Sequence, residues 1–139
     1  MVAQNLVLNK IIVIRQALSR IQSRSHLSEE QFLRDPDAQD VVMFNFQVAI
    51  QGCLDLADHL ISDEEWGIPG SFGEAMDKLA EHGIFSFAEA ELYKKMGRFR
   101  NLSLHGDARI DVREVYKIMQ SGPANIEKFV NAFVAYCKL

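Results

Sequence analysis

A chain of 139 residues is sized for one domain, taken here as residues 1–139. Its residues are 48% hydrophobic and 24% charged, the balance of an ordinary globular protein that needs neither metal nor disulfide staples. The net charge of −4 gives no bulk attraction for nucleic acid. Cys53 and Cys137 are too few for a disulfide scaffold or a four-ligand zinc site. Two free thiols suit a cytoplasmic protein, and neither a membrane span nor a signal peptide is visible.

Apolar periodicity is helical almost throughout. Val7, Ile11, Ile14, Leu18 and Ile21 step by four and three along one helix face. The polar stretch from Arg24 to Arg34 leaves room for a short helix capped by Ser28. Asp35-Pro36 is a start signal, with Asp as N-cap and Pro in the first turn. The helix that follows runs to about Ile61 and carries apolar residues around most of its circumference, so it is expected to be the central one. Gly67-Ile68-Pro69-Gly70 breaks the chain. Ser71 with Glu74 forms a capping-box pattern, and His82-Gly83 ends the helix it opens. Ser86 with Glu89 repeats the pattern and opens a helix through Met96 and Arg100, which Gly106 is placed to stop. Asp111 with Glu114 imitates the box and opens a helix to about Gln120. Ser121-Gly122-Pro123 reads as a kink or break before a last helix bearing Ile126, Phe129, Val130, Phe133 and Cys137. Trp66, Phe72 and Phe85 are expected to seal the connections, and both cysteines to be buried and inert. The sum is an all-α bundle of about five main helices.

Charge is unevenly spread. Lys94 to Lys117 holds seven basic residues and three acidic ones, a local charge of +4; the rest holds eight basic and sixteen acidic residues. Such a strip is either a solvated helix face or a track for a phosphate backbone. Within it, Arg100 and His105 point about 140° apart on a straight helix, so they are not neighbours there. Asn101 and His105, four apart, share a face, and Asn101 can orient the imidazole. At a helix end the dipole favours imidazolium, and a proton-exchanging His near a permanent Arg charge suits phosphate chemistry. The ordinary alternative is a capping His and a surface Arg. Asp55 and His59, with Asp58 adjoining, include metal-ligand residue types, but no third ligand is visible and no metal or cofactor is expected. A polar edge on the central helix, with Asp55 or Asp58 bonded to Arg100, is the simpler expectation. His26 and His82 fit loop and helix-end positions.

Arg100-Asn101-Leu102-Ser103-Leu104-His105 resembles the Arg, four residues, His motif of the HEPN superfamily, in which Asn directly after the Arg is typical. The wider context is similar to the HepT-like branch: the long helix through Ala49-Ile50-Gln51-Gly52-Cys53-Leu54-Asp55, then Pro69, Phe72, Leu79, Gly83-Ile84 and Met96-Gly97-Arg98-Phe99, then Ile110-Asp111 and Val115-Tyr116. The resemblance implies a five-helix HEPN bundle forming a homodimer with the motif helices facing each other across a two-fold axis. It implies a metal-independent endoribonuclease, the toxin of a HepT/MntA-like type VII toxin-antitoxin system, paired with an MntA-like nucleotidyltransferase antitoxin. His105 would act as general acid or base, Arg100 would hold the scissile phosphate and Asn101 would hold His105. Lys94, Lys95, Arg98 and Arg109 would lengthen the RNA track. One position departs from the family: the motif usually continues His, any residue, Tyr, the acceptor of AMP from the antitoxin, whereas this chain has Asp107. Tyr116 does not match that position. The departure keeps open a rival in which the chain is a catalytically silent HEPN bundle that binds a nucleotidyltransferase as scaffold.

Overall fold

The computed structural model describes residues 3–104 and 110–139, and the described residues form six helices and no strand. These are α1 (Gln4–Gln22), α2 (Glu29–Leu33), α3 (Pro36–Asp63), α4 (Phe72–Glu81), α5 (Phe87–Leu104) and α6 (Val112–Cys137). Five are long and α2 is little more than one turn, in line with an all-α bundle of about five main helices.

The starts of α2 to α6 are set by side chains that satisfy the orphan amides of a first turn. Ser28 and Gln31 form a reciprocal box, with Gln31 N–H donating to Ser28 Oγ and Ser28 N–H donating to Gln31 Oε1. Ser86 and Glu89 do the same for α5. Asp35 accepts from Ala38 N–H, with Pro36 opening α3. At α4 the box is half of what the pattern suggests: Ser71 Oγ accepts from Glu74 N–H, but the Glu74 carboxylate reaches one residue further back, to Gly70 N–H. Asp111 likewise caps α6 through Arg113 N–H. Helix α3 stops at Asp63, ahead of the Gly-Pro break. There Glu65 takes a left-handed conformation (φ 58°) and Trp66 N–H donates back to the Ile61 carbonyl.

The stretch Ser121-Gly122-Pro123 does not break the chain. Helix α6 runs through it, with Pro123 inside and buried. A proline removes one helical hydrogen bond and costs about 3 kcal/mol, which the burial of Ile126, Phe129, Val130 and Phe133 beyond it offsets. Gly122 serves contact here: a Cβ would lie 2.8 Å from the Phe46 ring, so α6 could not otherwise pass α3 so closely.

Helix α3 touches all five other helices and carries the largest set of buried residues, from Ala38 to Ile61. Its longest neighbour contact is with α1, whose stripe Val7, Ile11, Ile14, Leu18 and Ile21 is buried against it. Helix α5 lies on α3 through Phe99, whose ring meets Phe46 edge-on at 5.9 Å and 79°. Phe85, Tyr93 and Phe129 pack as a tilted and edge-on trio that ties the α4–α5 connection to α5 and α6. Trp66 stacks flat on His82, with ring centroids 3.7 Å apart, and so closes the α3–α4 connection. Arg15 bonds Glu127 and draws α1 onto α6 (2.9 Å).

The α1–α3 contact depends on Gly52. A Cβ there would lie 2.5 Å from Ile14 Cγ1, and Ile14 has no exposed surface into which to retreat. Gly52→Ala is expected to lower stability by about 1–3 kcal/mol, the usual cost of overpacking. Urea unfolding should show a lower midpoint at unchanged slope; an unchanged midpoint would mean that α1 shifts at no cost.

Candidate active site

Helix α5 brings Arg100 to the site. Its capped start fixes the register, and buried Met96 and Phe99 fasten its last turns to the core. Arg100 follows Phe99 directly and is half-buried, at the edge of a groove between α1, α3 and α5. The groove has a volume of about 310 Å³. Arg100 Nη1 donates to Asn101 Oδ1 (3.3 Å), and Asn101 is exposed. His105, Asp107 and Arg109, and the expected helix stop at Gly106, lie outside the described residues.

Across the groove stands a carboxylate held from two sides. Lys10 Nζ donates to Asp55 Oδ2 (2.8 Å) and Gln51 Nε2 donates to Asp55 Oδ1 (2.9 Å). Asp55 therefore shares the groove with Arg100, as the sequence led us to expect of that edge of α3, but its oxygens are engaged by Lys10 and Gln51. Lys10 is the residue that sequence reasoning missed. It sits on α1 between Leu6 and Val13 at helical spacing, beside the core stripe, and only that flanking stripe hints that it faces a neighbour. Asp58 is exposed on the following turn; partial desolvation first, then the charge of Asp55, raises its pKa above the usual carboxylate value. His59 lines a smaller cleft with Leu6, Lys10 and Asp55. Among the described residues, no three His, Cys, Asp or Glu side chains come together as a metal site.

The basic strip is laced with carboxylates. Lys94 Nζ lies 2.7 Å from Asp77 and 2.9 Å from Glu91, and these hydrogen bonds raise its pKa. Arg113 faces Glu29 at 3.8 Å, and Lys117 faces Glu114 at 3.5 Å. Lys95 and Arg98 are exposed. On α5, Arg98 points about 160° away from Arg100, so the two address different surfaces of one chain.

The thiols differ. Cys53 is fully buried, and burial, then the charge of Asp55, holds its pKa far above that of a free thiol. Cys137, expected to be buried, is only partly so, because it lies in the last turn of α6. Its pKa is raised by partial burial and by Glu64 and Asp63. Neither is poised as a nucleophile.

Comparison with known proteins agrees with this architecture. Residues 14–133 match the family model described as Ribonuclease HepT-like. An mRNA nuclease HepT from Shewanella oneidensis is 28% identical over 131 residues, which cover 94% of this chain and 98% of that one. The solved structure of a Shewanella oneidensis HEPN toxin, tri-AMPylated and in complex with an MNT antitoxin, superposes with a TM-score of 0.85. It shares 28% identity, over 93% of this chain and 96% of that one. The cytosolic protein of unknown function YutE from Bacillus subtilis shares the fold at 16% identity, with a TM-score of 0.82 over 97% of this chain and 90% of its own. The match spans most of the chain, which therefore belongs to the HepT-like ribonuclease family.

Iodoacetamide labelling followed by mass spectrometry should modify Cys137 alone in the folded protein. Because its pKa is raised, its labelling rate should keep climbing above pH 9 as thiolate forms. Cys53 should react only after unfolding; its modification at native pH would contradict the packing of α3.

Proposed function

We propose that this chain is the toxin of a toxin-antitoxin pair and cleaves RNA without a metal ion. The observation that carries this is the joint one: a HepT-like family match over residues 14–133, and Arg100, first residue of the Arg, four residues, His motif, standing at the edge of a groove.

In the mechanism, the ribose 2′-hydroxyl attacks the adjacent phosphorus, the bond to the 5′ oxygen of the next nucleotide breaks, and a 2′,3′-cyclic phosphate and a 5′-hydroxyl result. His105 removes the proton from the attacking hydroxyl or donates one to the leaving oxygen, a contribution of about 10²- to 10⁴-fold. Arg100 stabilises the charge that develops on the phosphoryl oxygens, worth about 10²- to 10³-fold. Asn101 holds His105, and Lys94, Lys95, Arg98 and Arg109 extend the track for the backbone. Two chains in a homodimer bring their motif helices together, so that Arg and His from both subunits meet one phosphate. The partner is an MntA-like nucleotidyltransferase antitoxin, as antitoxin complexes are known for structural relatives. The setting is the cytoplasm; among the described residues no helix is long and apolar enough to cross a membrane.

A second reading is favoured by one position. Asp107 replaces the tyrosine that the family offers for modification, and it puts a fixed negative charge two residues from His105. A silent bundle that only binds a nucleotidyltransferase would tolerate this.

Purified protein incubated with RNA in EDTA should cleave it, and Arg100→Ala and His105→Ala should each lower the rate by at least about 100-fold, within the ranges above. A folded wild type that leaves varied RNAs intact would favour the silent bundle, and Asp107→Tyr and Asp107→Asn would then show whether that charge is the cause.

A further inference from the structure

Among the described residues that line the groove, three are charged: Lys10 on α1, Asp55 on α3 and Arg100 on α5. Val13, Phe44 and Val48 lie among them, and an apolar lining screens charges less than open water does. An arginine and a carboxylate in one cleft are natural partners. The guanidinium fork matches the two oxygens of a carboxylate as well as it matches those of a phosphate. Asp55 is therefore a competitor for the group that the ribonuclease reading assigns to a phosphate. Both oxygens of this competitor already accept from another donor. Lys10 Nζ donates to Oδ2 at 2.8 Å and Gln51 Nε2 donates to Oδ1 at 2.9 Å, from two different helices. The contact of Arg100 with Asn101 Oδ1 is by contrast long, at 3.3 Å, and neutral.

We infer that Lys10 is a positioning residue for Arg100: by neutralising Asp55 and holding one of its oxygens, it keeps the carboxylate from capturing the guanidinium. This role rests on the ribonuclease reading for what Arg100 then holds, and adds what keeps Arg100 fit to hold it. The plain alternative is a clamp between α1 and α3. Against it, the pair is partly solvated, and such pairs contribute little to stability. Helix α1 is already held on α3 by its buried stripe and by the approach of Ile14 to Gly52. The two roles differ in sign at Asp55. A clamp is weakened by loss of either partner, whereas a masked competitor does harm only when the mask is lost.

The first measurement needs no substrate. Phenylglyoxal labelling of the folded protein, read by peptide mass spectrometry, reports how readily each guanidinium reacts, with exposed Arg98 on the same helix as reference. Lys10→Met keeps the stem and removes the charge. It should slow labelling of Arg100 about tenfold, the effect of one freed charge within a groove. Lys10→Arg, and Lys10→Met combined with Asp55→Asn, should each restore the wild-type rate. With cleavable RNA, Lys10→Met should raise KM about tenfold and leave kcat within about twofold, because capture of Arg100 lowers the fraction of competent enzyme without changing the bound complex. Asp55→Asn should not raise KM. Equal labelling of Arg100 in wild type and Lys10→Met, a double variant no better than Lys10→Met, or an Asp55→Asn protein as impaired as Lys10→Met overturns this role. So does a Lys10→Met protein whose mass in solution drops, since the pair would then serve contact between copies. A wild type that leaves RNA intact counts against the ribonuclease reading alone, because the labelling reports on Arg100 without substrate.

Discussion

At Gly52 the backbone of α3 meets the side chain of Ile14 with no room for a methyl group between them. That approach holds the α1 and α3 axes close enough for the Val7, Ile11, Ile14, Leu18 and Ile21 stripe to be sealed against the centre of the bundle. It also sets the width of the groove, since Gly52 itself lines it and Val13 and Lys10 flank Ile14 on α1. Helix α5 is placed independently, by Phe99 against Phe46, and α6 by Gly122 against that same ring. Phe46 thus carries two helices on one side of α3 while Gly52 carries a third on another. Small residues at the crossings let large ones interlock, which is how an interior reaches crystal-like density.

The Lys10–Asp55 pair is less a source of stability than a means of placement. Its side chains keep 41% and 33% of their exposure, and partly solvated pairs contribute at most about 1 kcal/mol. With Gln51 on the other oxygen, the carboxylate is fixed in direction. A fixed anion facing the wall that bears Arg100 gives the groove a defined polarity, while along the outer strip Lys94, Arg113 and Lys117 each face carboxylates as well. Three of the seven basic residues counted in that stretch of sequence are therefore held against carboxylates.

Much of this was legible in residue order. Caps at Ser28, Asp35, Ser71, Ser86 and Asp111 were readable because the donor they satisfy lies two or three residues away. The central place of α3 followed from its apolar circumference. Pro123 misled, because a local penalty weighs too heavily when the tertiary burial that overrides it lies beyond the window being read. Of the residues that line the groove, Arg100 was singled out through a motif, and Asp55 through its expected packing near that motif. Lys10 and Phe44 were not. Lys10 bonds a partner 45 residues away, and Phe44 is indistinguishable from a core phenylalanine until the bundle leaves it uncovered. Pairings across long sequence separations carry no local signal.

The groove draws its walls from Lys10, from the middle of α3 and from Arg100, so its parts are ninety residues apart along the chain. During synthesis the first two walls can associate early, as α1 and α3 pair through contacts of modest sequence distance. The third is absent until most of the protein has been translated, and α6, which closes onto α1 through Arg15 and Glu127, arrives later still. A nascent chain ending before α5 is thus a platform without its arginine. The complete groove is a property of the finished polypeptide, and between the emergence of α3 and of α5 the chain carries two of its walls without the third.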